Sequence, residues 1–578
     1  MSAEIAAPRA HPSALTRRRP SKSTLALSML LAVVGIIVMF PIIQMIVQSF
    51  RTTMPGQTGD WTIDGWRAVF GERALQTALY NTVTLTIARQ LIALVIAVYI
   101  AWLLARTDLP GGRVFEFIFW LAFFLPSLTV TLSWILILDP KFGLLNQLLA
   151  RVGLVDLGIG PLNIYSFWGI VWVHLVGSSI ALKVMILTPV FRNMNAAYEE
   201  ASLVAGASTL GTMVRVFVPL MLPAILAVQI LSVVRSLEAF EVEQILGTPA
   251  GIYVFSTWMY DQLYQTAPRY AAVSATGTFM LLASLVLILL QRNFVNRRRF
   301  TTVTGQFQGQ VTKLGPRARW LSFTFLVLTV LIIIGVPIVF SVMGTFMKLF
   351  GFFIEEPWTL KHWQTAFNDR LLIRAIQNTG VLAFGTAVIS LLVMPLIAYV
   401  IVRMHFYGKS SLDFLTWMPV TVPGILLSFG MLTMFLQPPF RPIYGSMVSL
   451  ILVLVVAGMP LAVQVMKSNL VQMSQELEEA SWLSGANWWH TYRKILLPLI
   501  SPSLVVITVI SFIAAARNVA QVALLSNASI RPLSIMQLEY IAQGKYEVAS
   551  VMAAMLLFVS LGLALVVRAF GYRTIADR

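Results

Sequence analysis

The chain has no cysteine among its 578 residues, which excludes disulfides, iron–sulfur clusters and thiol catalysis. Charge is scarce too: Asp, Glu, Lys and Arg make up 11% of the residues, against roughly 25% in soluble domains. The five histidines, His11, His174, His362, His405 and His490, are scattered without paired metal-ligand spacing. No phosphate-binding loop is present. The nearest string, Tyr407-Gly408-Lys409-Ser410, has Arg403 rather than glycine five places before Gly408. What fills the composition instead is apolar, 58% of the residues with a mean hydropathy of +0.81, as in a polytopic membrane protein.

Apolar runs long enough to cross roughly 30 Å of hydrocarbon as helix lie near 24–47, 77–105, 114–138, 164–190, 220–246 and 271–291. Six more lie near 320–347, 374–402, 411–436, 443–466, 499–526 and 548–569. Only helices or closed barrels satisfy the backbone in lipid, and runs of this length choose helices. The expected fold is therefore an all-α membrane protein of about twelve transmembrane helices. The expected divisions are a tail at 1–23, a first six-helix half at 24–291, a linker at 292–319 and a second half at 320–578. The first run is too long for a signal-peptide core and is expected to be retained.

A net charge of +17 would suit nucleic acid, but in a membrane chain the distribution of charge matters more than its sum. Lys and Arg favour the cytoplasmic side. With the N-terminus inside and the spans alternating, the larger share of them falls there, including Arg17, Arg18, Arg19 and Lys22 and the linker cluster Arg297, Arg298 and Arg299. The basic balance thus reads as topology, with lipid and not nucleic acid as the neighbour and with both termini cytoplasmic.

The two halves repeat. Trp61 and Trp66 recur as Trp358 and Trp363, Asn81-Thr82 as Asn378-Thr379, Arg106 as Arg403 and Pro126 as Pro423, all 297 positions apart. Farther on, Glu199, Glu200, Ala201, Ser202, Gly206, Pro219 and Pro223 recur as Glu478, Glu479, Ala480, Ser481, Gly485, Pro498 and Pro502, all 279 apart. The first half therefore carries 18 extra residues between Pro126 and Gly206, expected in the external stretch Asp139 to Asn163. Six spans per half preserve orientation, so the repeat is parallel, about an axis along the membrane normal. Each copy of the second motif reads as a helix start with acidic residues at its positive end, a glycine break, a basic amphipathic stretch, and a proline where the chain rejoins a span.

This E-A-A-x-x-x-G pattern resembles the coupling loop of binding-protein-dependent type I ABC importer permeases, and the fused architecture resembles that family's ferric-ion permeases. The resemblance implies a bacterial inner-membrane pore subunit that takes a small solute, ferric ion favoured, from a periplasmic solute-binding protein. It further implies that each loop is a cytoplasmic helix-turn-helix docked on one subunit of an ABC ATPase dimer. ATP and Mg would then belong to that partner, with no cofactor, no metal and no catalytic residue in this chain. Thiamine, phosphonate and polyamine permeases share such architectures. A secondary transporter with six-plus-six repeats fits the span count as well.

Charges within spans are costly and mark pathways or internal pairs. Here they are Arg89, Lys183, Arg235, Glu238, Glu241, Glu243 and Arg517. Aligning the halves sets Arg517 opposite Glu238, so an ion pair between them across the pseudo-twofold axis is one expectation, as a gate or packing lock; local pairing of Arg235 with Glu238 is the other. Glu238 and Glu241 share a helical face while Glu243 is turned away, which argues against a three-carboxylate site. His174, among Trp168, Trp172 and Leu175, reads as hydrogen-bonded packing, and Asn81 and Asn378 as helix caps.

Overall fold

The computed structural model describes residues 22–155, 160–195, 197–297, 312–353 and 355–569. The tail 1–21, with His11 and the cluster Arg17, Arg18 and Arg19, and the linker residues Arg298 and Arg299 lie outside them, as do the side chains of Lys22, Glu199, Glu200 and Arg297. Among the described residues nine helices are long and apolar enough to span a membrane, and three bent helix pairs raise the number to as many as twelve. The unbroken spans of the first half are Leu25–Gln48, Arg73–Arg106, Phe167–Arg192, Met213–Leu237 and Tyr270–Leu290. Those of the second are Pro316–Phe346, Arg370–Arg403, Met447–Gln472 and Tyr546–Val567.

The third span of each half is not the straight rod expected from its apolar run. Gly112–Ala122 and Ser127–Leu138 meet at 100°, and Lys409–Thr421 and Gly424–Phe435 at 115°. Both breaks fall at the matched prolines Pro126 and Pro423, which have extended backbone. Proline lacks an N–H and drives the residue before it out of helical angles, so the helix must stop there.

The pieces after the breaks, Ser127–Leu138 and Gly424–Phe435, are almost entirely buried, because each packs against the first span of the opposite half. Ser133 donates to the Pro337 carbonyl at 3.0 Å. Its repeat equivalent is Gly430, where an added Cβ would lie 3.2 Å from the Pro41 carbonyl oxygen. The halves thus embrace: each first span completes the other half's core.

The 18 extra residues are accounted for in two places. Most form the short helix Leu144–Arg151 and its flanks, organised by Asn146, which donates to the carbonyls of Asp139 at 2.9 Å and Leu162 at 2.7 Å. One belongs inside the fourth span. Its capping serines, Ser166 and Ser446, are 280 apart rather than 279, and a π-helical turn at Leu175–Ser179 has no counterpart in Met447–Gln472. A π-bulge absorbs one inserted residue in this way.

Candidate functional site

At one end of the bundle each half carries a helix-turn-helix. The leading helices are Ala197–Val204 and Glu476–Leu483. They end at Gly206 and Gly485, whose φ angles of +83° and +84° belong to the left-handed region that glycine enters without a side-chain penalty. The next amide reaches back over the turn in both copies: Ala207 N to Ser202 O and Ala486 N to Ser481 O, each 3.1 Å. This is the glycine-terminated cap that satisfies the last carbonyls of a helix.

The second helix of each loop is started by a side-chain acceptor, Ser208 for the Gly211 amide at 3.1 Å and Asn487 for the His490 amide at 2.8 Å. A hydroxyl pair then staples the two helices together: Ser202 to Thr212 and Ser481 to Thr491, both 2.9 Å. Each second helix runs through a π turn, Met213–Phe217 or Tyr492–Leu496, just before Pro219 or Pro498, where the missing N–H would otherwise leave a regular turn unbonded. In the first half it continues directly into the fifth span, and in the second it joins that span through a 77° bend.

Within this motif the side chains divide by role. Glu479 and Ala480 are exposed, while Ser481 and Glu478 are buried. Glu478 is an internal brace: its Oε1 lies 2.8 Å from Arg403 Nε, and Oε2 accepts from the Tyr399 hydroxyl at 2.9 Å. Arg403 also donates to the Leu470 and Met473 carbonyls at 3.0 and 2.7 Å, so it ties the second span, the end of the fourth and the loop into one corner. In the first half Arg106 donates to the Met194 carbonyl, the repeat equivalent of Met473, at 3.3 Å. At the tips stand Val204 and Leu483, each 89% exposed and equivalent in the repeat. Ala201 beside them is exposed as well, and Ser202 half-buried.

At the far end of the fifth spans, helix stops at Leu237 and Ala516, short of the 246 and 526 read from hydropathy. Beyond a short break the first segment turns helical again through Glu243–Gly247 and Thr248–Ala250, whereas the second is a run of turns; a membrane protein tolerates such interrupted backbone where it is buried in protein. Phe240, Val519 and Ala520 are buried there, and Ser256 binds the Ala239 carbonyl. The matched Asn-Thr pairs hold these segments. Asn81 donates to the Tyr253 carbonyl at 2.9 Å and Asn378 to those of Ser529 and Arg531 at 3.0 and 3.1 Å. Thr82 and Thr379 accept from the Phe255 and Leu533 amides at 2.9 and 2.7 Å. Asn81 and Asn378 lie well inside the helices Arg73–Arg106 and Arg370–Arg403, so they anchor a neighbouring loop rather than cap their own span.

Glu238 and Arg517 are equivalent, each the residue that closes its fifth span. The ion pair expected between them is not among those of the described residues, nor is one between Arg235 and Glu238. Arg517 instead donates to the Phe123 and Leu125 carbonyls at 2.9 and 3.0 Å and stands over the Phe123 ring at 5.6 Å. The reason is the broken third span. Its first piece ends with unpaired carbonyls, and a cation at a helix C-terminus satisfies both them and the dipole. The acid whose charge Arg517 senses is Glu241, with Arg235 also near it.

Glu243 does point elsewhere, but not for the reason expected: helix ends at Leu237, so the single helical face read for Glu238 and Glu241 does not exist. Glu243 pairs with Arg89 at 2.9 Å and accepts a 2.9 Å contact from His174, which confirms the packing role read for that histidine. Lys183 binds Gln90. Partners 154 positions apart leave no local trace in the sequence, and that is why this cluster escaped it.

The sequence pattern described as "Binding-protein-dependent transport system inner membrane component" matches residues 93–300 and 392–575, once in each half. A ferric transport system permease, FbpB, of Actinobacillus pleuropneumoniae is 26% identical over 70% of this chain, and the match spans 58% of that relative's length. A putative ferric transport system permease, FbpB 1, of Haemophilus influenzae is 27% identical over 79% of the chain and 71% of its own length. A second Haemophilus influenzae permease, FbpB 2, is 22% identical over 94% of this chain and 97% of its own. With the pattern present twice and covering most of the residues, the chain belongs to the family of binding-protein-dependent transport system inner membrane components and is a fused two-half permease.

Proposed function

We propose that this permease is the pore subunit of an ATP-driven importer of the bacterial inner membrane, with the two helix-turn-helix loops and both termini in the cytoplasm. A periplasmic binding protein would deliver solute to the opposite face, and an ABC ATPase dimer carrying ATP and Mg would grip the loops. This chain would bind no cofactor of its own and contact lipid around its spans. Ferric ion is the favoured solute, supported by the ferric transport for which the relatives above are named.

One observation carries the reading: two superposable hairpins, 279 positions apart, present equivalent apolar tips at Val204 and Leu483 beside exposed Ala201 and Ala480. Each hairpin is stapled and continues into a fifth span. Drawing the loops together would therefore swing the far ends of those spans, where Glu238, Glu241 and Arg517 are half-buried and Arg235 is exposed. That combination supports a pathway lining, so coupling is mechanical and needs no covalent chemistry here.

The test is affinity purification from the native membrane. A stoichiometric P-loop ATPase is expected with the wild-type chain and is expected to be lost on combined Val204→Asp and Leu483→Asp substitution. Solute uptake by the purified chain alone in liposomes, without ATP, would sink the proposal.

A further inference from the structure

Inside the first half, buried polar groups occupy positions where the second half has apolar residues or a threonine. Arg89 of the second span has a side chain only 2% exposed and pairs with Glu243, itself 1% exposed. Arg89 also binds the hydroxyl and the carbonyl of Ser236, the next-to-last residue of the fifth span. His174 of the fourth span reaches the same Glu243 oxygen, directly before the π turn that only this half contains. The repeat places Thr386 at the position of Arg89, Leu454 at His174, Ala462 at Lys183, Ala515 at Ser236 and Val522 at Glu243. The second half builds the corresponding spans without a single one of these charges, and its segment after the fifth span is a run of turns where the first half has the helical turns Glu243–Gly247 and Thr248–Ala250.

The charges are therefore not what the fold requires. Buried ion pairs can often be replaced by packed apolar groups at no loss of stability. Their physical distinction is that they accept one geometry and penalise others, since separating the partners strands a charge in the interior. The geometry they fix is that of the segment after the first fifth span. Glu243 stands two residues beyond Glu241 in that segment.

A second asymmetry points the same way. The first fifth span is unbroken from Met213 to Leu237, whereas its counterpart bends by 77° between Trp488–Leu499 and Ser501–Ala516.

We propose that Arg89 is a positioning residue: by holding Glu243, it makes the first half's post-span segment the fixed wall of the pathway, against which the second half moves on the bend in its fifth span. The assignment rests on the pathway reading given above, but its test does not. Because the chain lacks cysteine, a single thiol can be placed at Ala250 or at Ala528, exposed alanines of the two segments that differ by one position in the repeat register, and its maleimide labelling timed on the purified full-length chain in nanodiscs.

Arg89→Thr combined with Glu243→Val installs the second half's own residues. Labelling at Ala250→Cys is expected to rise by about fivefold, the population change that about 1 kcal/mol produces. Labelling at Ala528→Cys and the thermal unfolding midpoint are expected to stay unchanged. An unchanged rate at Ala250→Cys, an equal rise at both sites, or a rise accompanied by a parallel fall in the midpoint would overturn the proposal. Should that double variant fail to fold, Arg89→Gln combined with Glu243→Gln keeps the side-chain volumes nearly unchanged, strands no charge and is expected to raise labelling at Ala250→Cys alone; no rise there is equally fatal. None of these readings needs ATP or a partner, so failure of the importer proposal would leave them interpretable.

Discussion

Arg403 and Glu478 stand 2.8 Å apart with side chains 8% and 3% exposed, and they join the end of a membrane span to the loop that follows the fourth. A buried pair resists removal of either member more than it repays the presence of both. Glu478→Ala or Arg403→Ala is thus expected to destabilise the loop corner by about 3–5 kcal/mol, by leaving an unpaired interior charge. Limited proteolysis of the purified chain should show new cleavage between residues 472 and 488, and retention of the ATPase should fall with it.

The hydroxyl staples offer a gentler probe of the same hairpins. Ser481 with Thr491 and Ser202 with Thr212 are equivalent pairs at the same 2.9 Å separation. Replacing one member of a pair, Thr491→Val or Thr212→Val, should cost about 1 kcal/mol. A double-mutant cycle with Ser481→Ala or Ser202→Ala should return a coupling of about 0.5 kcal/mol or more for each pair, as residues in contact do. Thermal shifts measured in detergent would report the four singles and two doubles, and additivity within either pair would contradict the contact.

How much of this was legible in the chain divides along physical lines. Apolar length located each span, since backbone satisfaction in lipid leaves little choice, but it overran the ends of the fifth spans by nine and ten residues. The repeat announced which positions matter: Pro126 with Pro423 became the two breaks, Arg106 with Arg403 the two corner arginines, and Gly206 with Gly485 the two left-handed caps. Roles were harder to read. Glu478 stands beside exposed Glu479 in sequence yet turns inward, and one residue of rotation on a short helix decides that. The Glu238–Arg517 expectation assumed straight third spans; once Pro126 breaks one, its free carbonyls claim the guanidinium. Contacts between residues 154 apart, such as Arg89 with Glu243, depend on how helices cross and have no periodic signature.

Gly206 and Gly485 separate backbone strain from crowding. A Cβ at either position meets no atom within 4 Å, yet both have φ near +83° to +84°. Alanine should therefore cost about 1–2 kcal/mol through conformation alone, lowering ATPase retention without a packing defect. Gly562, in the middle of the last span and equally free of neighbours, is the control. There alanine should be neutral or stabilising by up to about 1 kcal/mol.

Arg517 is the last and sharpest case, because its partners are carbonyls rather than an acid. Its hydrogen bonds to Phe123 and Leu125 cross from one half to the other, and bonds to a charged donor contribute about 1.5–3 kcal/mol each. Arg517→Ala is expected to weaken the seam between the halves, read as a lower unfolding midpoint and loss of uptake. Reversing the charges at Glu238 and Arg517 together should fail to restore what Arg517→Glu removes, since a glutamate there would face the same carbonyl oxygens and be repelled. Arg517→Lys should recover part of the function, as a cation with donors for both carbonyls remains, though lysine lacks the planar guanidinium that stands over the Phe123 ring. Full recovery in the double reversal would mean that the acid, and not the broken helix, is what this arginine serves.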